Sequence, residues 1–379
     1  MKILQVTQFF SPVHGGSVEV PYHFSKELAK RGHEVAVYTS DFKLSHDYID
    51  SIPEVRVHYF KTWSSRANLD VTPGIVKEAR REIRHFDIIH MHNYRTFQNM
   101  AIAHYAREYG IPYVLQAHGS ATTFFQKGWL KRTFDAIWGY RILKDASKVI
   151  AVTKIEVEQY QSLGVSRNRI EVVPNGIDLS EFDNLPERGE FRKKYSLNES
   201  QRIILYLGRI HKTKGLDLLA KAFAELSKKL DDAKLVIVGP DDGYLPSLKK
   251  LIADLEISDN ILFTGPLYDR EKLRAYVDAD VFVNPRADEI FGLVFLEALV
   301  CGTPVICSKG CGIADVIDGQ AGFAVPYDTK HLSDAMLRML SNDKIRRQFG
   351  ERGKLLVREK FNWQKITDQM ERLYQRVLL

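Results

Sequence analysis

Two glutamates eight positions apart stand in a segment suited to binding a phosphorylated sugar. The segment reads Glu289-Ile290-Phe291-Gly292-Leu293-Val294-Phe295-Leu296-Glu297. It follows a predicted strand at 281–284 and opens a predicted helix that ends near Cys301. The start of a helix exposes backbone N–H groups that bind phosphate or sugar oxygens, and a glycine lets the backbone approach closely. The alternative is an acidic residue at a helix N-terminus and a solvated glutamate.

A second segment places two cations beside two glycines, again between a predicted strand and a predicted helix. It reads Leu207-Gly208-Arg209-Ile210-His211-Lys212-Thr213-Lys214-Gly215. The Walker spacing is absent, so the segment is not a P-loop. Arg209 could bind a diphosphate through two parallel hydrogen bonds from its planar guanidinium, and Lys214 could contribute a compact positive charge. Basic residues on a surface loop are the alternative.

Two loops in the first half carry weaker signals. Gly15-Gly16 follow the first predicted strand, where paired glycines form an anion-binding turn or only a turn. They do not make the G-x-G-x-x-G fingerprint of nicotinamide-binding proteins. His118 follows another predicted strand and could donate a hydrogen bond to a sugar or could be a core histidine. His90 and His92 are predicted to be structural.

These loops lie between short apolar, β-branched runs that alternate with amphipathic stretches, a pattern typical of parallel sheets wrapped by helices. In the first half the candidate strands are Lys2–Val6, Val35–Thr39, Ile88–Met91, Tyr113–Gln116, Val149–Val152 and Ile170–Val173. In the second half they are Arg202–Gly208, Lys234–Gly239, Asn260–Thr264, Val281–Asn284, Pro304–Cys307 and Gly322–Val325. Six strands in each half predict an α/β chain of two doubly wound, Rossmann-like units.

The boundary between the two halves is predicted after the turn residues Pro174–Asp178. We therefore expect one domain at 1–178 and a second at 179–360. Two such units joined by one linker would create a central cleft. Ligands of open α/β sheets bind at the carboxyl ends of the strands, so this cleft is the expected site.

Composition excludes several classes of protein. The 379 residues suffice for two domains, and a net charge of +6 is too modest for general nucleic-acid binding. The three cysteines, Cys301, Cys307 and Cys311, have no accompanying histidine cluster, which favours a reducing compartment over a zinc site or disulfides. Charged residues interrupt every apolar run before eighteen residues. A cytoplasmic protein without a membrane span is therefore predicted.

Together these segments resemble glycosyltransferase family 4, a large family of retaining enzymes with the GT-B fold. The matches keep the family's order and spacing over nearly the whole chain: Gly15-Gly16, Asp87–His90, His118-Gly119, Pro174–Asp178, Gly208-Arg209, Lys214-Gly215, the two-glutamate segment and Cys301–Val305. The resemblance implies two Rossmann-like domains facing a central cleft. The N-terminal domain would bind the acceptor and the second the nucleotide sugar, and a last helix within 361–379 would cross back to the N-terminal domain.

The resemblance also assigns roles to single residues. Arg209 and Lys214 would hold the donor diphosphate, and Glu289 and His118 would contact the transferred sugar. Glu297 would bind the ribose hydroxyls, and the backbone at Pro266 and Leu267 would hold the nucleobase. The other donor-binding residues are predicted to be Gly15, Gly16, Ile290, Phe291, Gly292 and Leu293.

The implied reaction moves a hexose from a nucleotide diphosphate sugar with retention of configuration. Breaking the sugar–phosphate bond adds charge to the diphosphate, which Arg209 and Lys214 would stabilise. The departing phosphate could take the acceptor's proton, and two cations could replace Mg²⁺, so no metal or other cofactor is expected. Ile290 and Arg286 depart from the family pattern beside the expected sugar position. GDP-mannose, UDP-glucose and UDP-N-acetylglucosamine all stay open as donors.

Two other enzyme classes and a non-catalytic binding module are alternatives to glycosyl transfer. A nucleotide-sugar epimerase with the GT-B fold is the main alternative, and it would release a new nucleotide sugar without an acceptor. A nicotinamide dehydrogenase would need a glycine fingerprint and an acidic partner about twenty residues on, and the first strand offers neither. A non-catalytic nucleotide-binding module would leave His118 and Glu289 without a role.

The acceptor is expected on the N-terminal domain and could be lipid-linked, a glycan or a small phosphorylated molecule. Residues 127–144 predict a helix with aromatic side chains and five basic residues against one acidic residue, Asp135. Such a helix could lie on an anionic bilayer at the inner face of the cell membrane. It could equally be a core helix with a solvated basic face.

Overall fold

The computed structural model describes residues 1–11, 16–66, 69–121 and 128–379. The chain divides into two compact units. Unit 1 comprises Met1–Gly176 with Trp363–Leu379, and unit 2 comprises Ile177–Asn362. The predicted domain boundaries, after residues 178 and 360, lie two residues from these divisions.

Unit 1 is built on a parallel seven-stranded sheet in the order β3-β2-β1-β6-β7-β8-β9, beside a small antiparallel hairpin, β4–β5. The strands are β1 (Lys2–Val6), β2 (Glu34–Ser40), β3 (Arg56–Phe60), β4 (Ser64–Arg66), β5 (Leu69–Val71), β6 (Ile88–His92), β7 (Tyr113–Gln116), β8 (Lys148–Ala151) and β9 (Ile170–Val172). Central strands such as β6 are buried along their whole length, as parallel strands covered on both faces must be.

The sequence predicted six strands for the first half, and this number was too small. The missing strand of the parallel sheet is β3, which pairs only with β2 at the sheet edge. Its residues are partly exposed, and Arg56 and His58 interrupt the apolar pattern. An edge strand needs no continuous apolar run, so this one carried little signal.

Helices cover both faces of the unit 1 sheet. They are α1 (Gly16–Lys30), α2 (His46–Asp50), α3 (Gly74–Glu82), α4 (Phe97–Tyr109), α5 (Gly128–Phe134), α6 (Tyr140–Asp145) and α7 (Lys154–Ser162), with a π-helical stretch at Asp135–Gly139. The C-terminal helix, Trp363–Leu378, also belongs to this unit. Trp363 stacks on His23 of α1, and Arg31 pairs with Glu371 at 2.9 Å. The predicted return of the last helix to the N-terminal unit is confirmed.

Unit 2 contains a parallel six-stranded sheet in the order β12-β11-β10-β13-β14-β15. Its elements are α8 (Glu190–Lys194), β10 (Arg202–Leu207), α9 (Leu216–Ser227), β11 (Ala233–Val238), α10 (Leu245–Asp254), β12 (Ile261–Gly265), α11 (Asp269–Asp278), β13 (Val281–Asn284), α12 (Leu293–Val300), β14 (Val305–Ser308), α13 (Ala314–Ile317), β15 (Gly322–Val325), α14 (Thr329–Leu340) and α15 (Asp343–Lys360). With this numbering the C-terminal helix is α16. The predicted two parallel-sheet α/β units are confirmed.

Both sheets reverse their winding direction at one point. In unit 1 the chain moves outward from β1 to β2 and β3, and then returns to β6 on the other side of β1. In unit 2 it moves from β10 to β11 and β12, and then returns to β13 beside β10. At such a switch point the loops leaving two neighbouring strands diverge and open a crevice at the carboxyl edge of the sheet.

Unit 2 also holds the three cysteines, Cys301, Cys307 and Cys311, as buried free thiols. Within residues 1–11, 16–66, 69–121 and 128–379, no group of three or more His, Cys, Asp or Glu side chains is arranged to hold a metal ion. In the same residues, no helix combines the length and apolar character that a membrane span requires.

Close backbone packing at the carboxyl edge of unit 2 makes Gly239 sensitive to substitution. It has a φ of +146°, and a Cβ there would lie 1.9 Å from the carbonyl oxygen of Gly208. Gly243 also has a positive φ, +82°, but a Cβ there would meet nothing within 4 Å. We expect Gly239→Ala to lower the free energy of unfolding by about 2 kcal/mol more than Gly243→Ala does, since only the first adds a steric clash to backbone strain.

Urea denaturation of the two variants and the wild type measures this difference. Equal destabilisation by the two substitutions would mean that the contact between Gly239 and Gly208 can relax freely.

Candidate active site

The loop after β10 approaches the loop after β13 through a glycine. Gly215 ends the first loop with a φ of +71°, and a Cβ on it would lie 3.2 Å from the carbonyl oxygen of Pro285. Lys214 precedes it in a 3₁₀ turn whose N–H groups bond back to His211. Any larger residue at 215 would push the two loops apart, so glycine here sets the position of Lys214 at the switch point.

Lys214 and Glu289, two of the residues predicted for catalysis, are ion-paired across this switch point. Lys214 Nζ lies 3.2 Å from Glu289 Oε2. Arg286 Nη1 lies 3.4 Å from the same oxygen. The side chains of Lys214 and Glu289 are each only 16% exposed, so this pair is shielded from solvent more than a surface ion pair is. The structure therefore brings a cation and a carboxylate together where the sequence predicted both.

Arg209 lies on the same loop as Lys214 but has a different partner. Its guanidinium pairs with Asp242, which follows β11, and its side chain is 64% exposed. Tyr206 donates from its hydroxyl to the Arg209 carbonyl oxygen at 3.0 Å, which holds the backbone of the loop. The structure thus places Arg209 at the carboxyl edge of the sheet without joining it to Glu289.

The start of α12 presents backbone N–H groups, as the sequence predicted. Gly292 is the N-cap with a φ of +67°, and a Cβ there would lie 2.8 Å from the Phe295 ring. Among the described residues, the N–H groups from Ile290 to Val294 have no acceptor. Leu293 is the first residue of the helix. These donors and the helix dipole favour an anion or polar oxygens at this point.

The loop before α12 is fixed from both sides. Phe291 is 4% exposed and packs edge to face on Phe361, so only its backbone can meet a ligand. The N–H of Gly312, in the loop after β14, donates to the Glu289 carbonyl oxygen at 2.8 Å. Ile290 stays partly exposed. The neighbouring loop therefore positions Glu289 through its backbone.

Glu297 lies on α12, one turn into the helix, and both carboxylate oxygens have protein partners. Tyr276 donates from its hydroxyl to Oε2 at 2.8 Å, and Lys272 Nζ lies 3.0 Å from Oε1. Both partners belong to α11. A ribose that binds Glu297 would have to share these oxygens with Tyr276 and Lys272, which the sequence did not indicate.

The residues predicted for the nucleobase follow the edge strand β12. Pro266 is exposed and Leu267 is partly exposed, in the loop before α11. The Gly239 N–H donates to the Gly265 carbonyl oxygen at 3.0 Å, which ties this loop to the end of β11. All the predicted donor-site residues of unit 2 therefore lie at one edge of its sheet.

In unit 1, His118 lies at the carboxyl edge of the other sheet, directly after β7. Gly16 begins α1, and Gly15 lies outside the described residues. His118 follows β7 with a φ of +52°, a conformation that few side chains adopt without support. The support comes from α7, where the Glu156 carboxyl accepts from the N–H groups of Gly119 and Val152 at 2.6 and 2.8 Å.

A chain of polar side chains runs beneath His118. His118 Nε2 lies 2.9 Å from His92 Nδ1, and His92 Nε2 lies 2.7 Å from Gln5 Oε1. Gln5 contacts the Tyr374 hydroxyl of α16, which lies 2.7 Å from His90 Nδ1. Burial lowers the pKa of His118 to about 3 and the pKa values of His90 and His92 well below their usual range. Neutral imidazoles in a hydrogen-bonded chain support the structural role predicted for His90 and His92.

Sequence reasoning did not identify several residues that shape these sites. The sequence marks Arg286 as unusual but gives it no partner, and it indicates neither the carboxylate that pairs with Arg209 nor the donors to Glu297. Buried polar residues such as Gln5 and Glu156 carry no motif around them. Their contacts join elements far apart in the chain, so no spacing rule reveals them.

Two family models match the chain, one to each unit. Residues 187–356 match the model described as Glycosyl transferases group 1, and residues 14–181 match that of Glycosyltransferase Family 4. The chain belongs to glycosyltransferase family 4. It is therefore an enzyme that transfers glycosyl groups, as the motif order suggested.

Several relatives are similar over most of this glycosyltransferase. N-acetyl-alpha-D-glucosaminyl L-malate synthase of Bacillus anthracis is 29% identical over 97% of this chain and 95% of its own length. Alpha-monoglucosyldiacylglycerol synthase of Streptococcus pneumoniae is 29% identical over 90% of this chain and 78% of its own length. D-inositol 3-phosphate glycosyltransferase of Kineococcus radiotolerans is 28% identical over 88% of this chain and 84% of its own length.

Solved structures share the fold of this glycosyltransferase. Anabaena Alr3699/HepE in complex with UDP has a TM-score of 0.82 at 18% identity, covering 99% of this chain and 100% of that one. WaaG, a glycosyltransferase of lipopolysaccharide biosynthesis, has a TM-score of 0.72 at 19% identity, covering 98% and 99%. At such low identity the likeness shows the fold, which is GT-B.

The buried carboxyl of Glu156 predicts a pH-dependent stability. Burial raises its pKa to about 7 from an ordinary value of 4.5, although two N–H donors oppose the shift. Between these values the folded chain binds more protons than the unfolded chain, so its stability falls as the pH rises. We expect the free energy of unfolding of the wild type, measured relative to that of Glu156→Gln, to fall by about 3 kcal/mol from pH 4.5 to pH 8.

Denaturation at a series of pH values measures this change. Glu158→Gln, an exposed position on the same helix, should follow the wild-type profile. Parallel profiles for wild type and Glu156→Gln would show that folding leaves the pKa of the Glu156 carboxyl unchanged.

Proposed function

We propose that this enzyme transfers a hexose from a nucleoside diphosphate sugar to an acceptor, with retention of configuration and without a metal ion. The observation that carries the proposal is the ion pair of Lys214 with Glu289, which lies in the loop that leads into α12 at the switch point of unit 2. A cation thus contacts a loop that opens into a helix N-terminus, and anionic groups bind such places. The family membership and the UDP complex of HepE support a nucleotide sugar as the donor.

Charge development explains how these residues would accelerate transfer. The sugar–phosphate bond breaks to give an oxocarbenium-like sugar and a more negative diphosphate. A positioned cation stabilises that growing charge more than it stabilises the bound donor, so it lowers the barrier. Lys214 and Arg209 would supply this charge, which makes Mg²⁺ unnecessary in the proposal. Glu289 and the N–H groups of α12 would orient the transferred sugar.

The remaining predicted residues keep subsidiary roles in the proposal. Glu297 would share its carboxylate with the ribose, and the backbone at Leu267 would meet the nucleobase. His118 in unit 1 would contact the transferred sugar, as the family resemblance implies. The departing phosphate would take the acceptor's proton on the same face, which accounts for retention without a protein base or a covalent intermediate.

Three nucleotide sugars are candidate donors for the proposed reaction. Among the three candidate donors, the names of relatives support UDP-N-acetylglucosamine and UDP-glucose, because they point to N-acetylglucosaminyl and glucosyl transfer. Each relative described above is named for a glycosyl transfer or a glycoside synthesis, which favours transfer over the epimerase alternative. Incubation with single nucleotide sugars, with and without a chelator, would identify the donor by its slow hydrolysis.

Acceptor binding is proposed for unit 1, where an exposed surface combines aromatic and basic side chains. Trp129, Ile137 and Trp138 are 71%, 55% and 42% exposed. The only acidic residue of the predicted 127–144 helix, Asp135, is buried against Arg95, so it does not offset the basic charge of this surface. We propose that the surface contacts anionic lipid and presents a lipid-linked acceptor, as the name of the glucosyldiacylglycerol synthase also suggests.

Loss of either phosphate cation should impair turnover. We expect Arg209→Ala and Lys214→Ala each to lower kcat/KM on the order of a hundredfold, the scale of removing one preorganised charge donor. Lys212→Ala removes an exposed cation from the same loop and should keep near-wild-type activity. Steady-state kinetics with the preferred donor measures all three variants. Full activity in both site variants would remove Arg209 and Lys214 from the mechanism.

Membrane contact should depend on the aromatic side chains as well as on charge. We expect flotation with vesicles of anionic lipid, reduced several-fold by Trp129→Ser and by raised salt, because apolar insertion and Coulomb attraction act together. Trp63→Ser, at another exposed tryptophan of unit 1, is the matched control and should float as the wild type does. Absence of flotation for the wild type at low salt would exclude the membrane proposal and leave a soluble acceptor.

A further inference from the structure

Arg286 is the one cation of the β13 loop that contacts Glu289, and its orientation is fixed by the protein. Its Nε donates to Asp288 Oδ1 at 3.1 Å, while its Nη1 lies 3.4 Å from Glu289 Oε2. Its backbone is held as well, since Ser308 donates from its hydroxyl to the Arg286 carbonyl oxygen at 2.7 Å. The guanidinium is therefore set in place without help from Lys214.

Two cations share one oxygen of Glu289. Lys214 reaches Oε2 from the β10 loop and Arg286 reaches it from within the β13 loop. If Lys214 is to hold a diphosphate, its ammonium must turn at least partly away from Glu289. A mostly buried carboxylate left without a cation beside an incoming diphosphate would be strongly unfavourable.

We propose that Arg286 is a positioning residue that keeps Glu289 paired when Lys214 moves to the donor diphosphate. This rests on the proposed function of the unit 2 site. Because Arg286 neutralises and orients Glu289, the carboxylate does not have to compete with the phosphate for Lys214. The proposal gives Arg286 no phosphate contact, because its Nε and Nη1 are directed to Asp288 and Glu289.

The arrangement predicts that substitutions of Arg286 and Glu289 have non-additive effects on the affinity for a nucleoside diphosphate. Without Arg286, Glu289 would depend on Lys214 alone and would hold it more tightly, so nucleoside diphosphate affinity should fall about tenfold, the effect of roughly 1.4 kcal/mol. Without Glu289, nothing holds Lys214 back, and affinity should equal or exceed that of the wild type. Without both, affinity should match that of the Glu289 variant, because Arg286 acts only through Glu289.

Isothermal titration of the full-length enzyme with UDP and with GDP tests this scheme. The proteins compared are wild type, Arg286→Gln, Glu289→Gln and the double variant. Arg202→Gln is the control, because Arg202 also pairs with a nearby carboxylate, Asp232, but at the amino end of β10. It should bind the nucleoside diphosphate as the wild type does. Thermal melting of each variant verifies that it is folded.

The titrations distinguish a failure of the positioning role of Arg286 from a failure of the proposed function. If the double variant binds about tenfold more weakly than Glu289→Gln, Arg286 contacts the phosphate directly and the positioning role is overturned. If Arg286→Gln binds like the wild type, Arg286 has no part in donor binding. If the wild type binds neither UDP nor GDP, the proposed function itself fails.

Kinetics supply a second readout that a merely structural role would not produce. We expect Arg286→Gln to raise the donor KM and also to lower kcat, because Glu289 loses its orientation towards the sugar. Arg286→Lys keeps the charge near Glu289 but cannot bond Asp288 at the same time, so it should recover most of the donor affinity. No recovery by lysine, with a normal melting temperature, would contradict an electrostatic role.

Discussion

The ion pair between Lys214 and Glu289 depends on a constraint of the whole fold, the reversal of winding between β10 and β13. Only at this reversal do the loops of two neighbouring strands leave in opposite directions and face each other across a crevice. Gly215 lets the loops approach, and the start of α12 adds backbone donors. The charged pair, the backbone donors of α12 and the glycine that lets the loops approach thus all lie at one edge of a buried parallel sheet.

The cations at this edge are paired with carboxylates. Arg209 pairs with Asp242 and Lys214 pairs with Glu289. In the proposed function an incoming diphosphate would replace Glu289 beside Lys214, so this mostly buried ammonium would stay paired with an anion. Unit 1 differs, because burial lowers the pKa values of His90, His92 and His118, and this chain of imidazoles is held by hydrogen bonds that involve Gln5 and Tyr374 of α16.

Local patterns were sufficient to predict most of the fold and the position of the loops after β10 and β13 along the chain. Apolar runs marked the strands of both sheets except β3, whose edge position needs no continuous apolar face. The glycines and cations around Lys214 were visible because they are adjacent in sequence. The pairing of Arg286 with Glu289, and the support of His118 by Glu156, could not be predicted in the same way. These contacts depend on side-chain directions and on loops from different strands, which no short-range spacing records.

A crystal structure of the enzyme with a nucleoside diphosphate tests the central claim most directly. We predict that the phosphates lie at the start of α12, that Lys214 Nζ contacts a phosphate oxygen, and that Glu289 is paired with Arg286 alone. A nucleotide bound away from the loops after β10 and β13, or a Lys214 that still pairs with Glu289 beside a bound diphosphate, would contradict it.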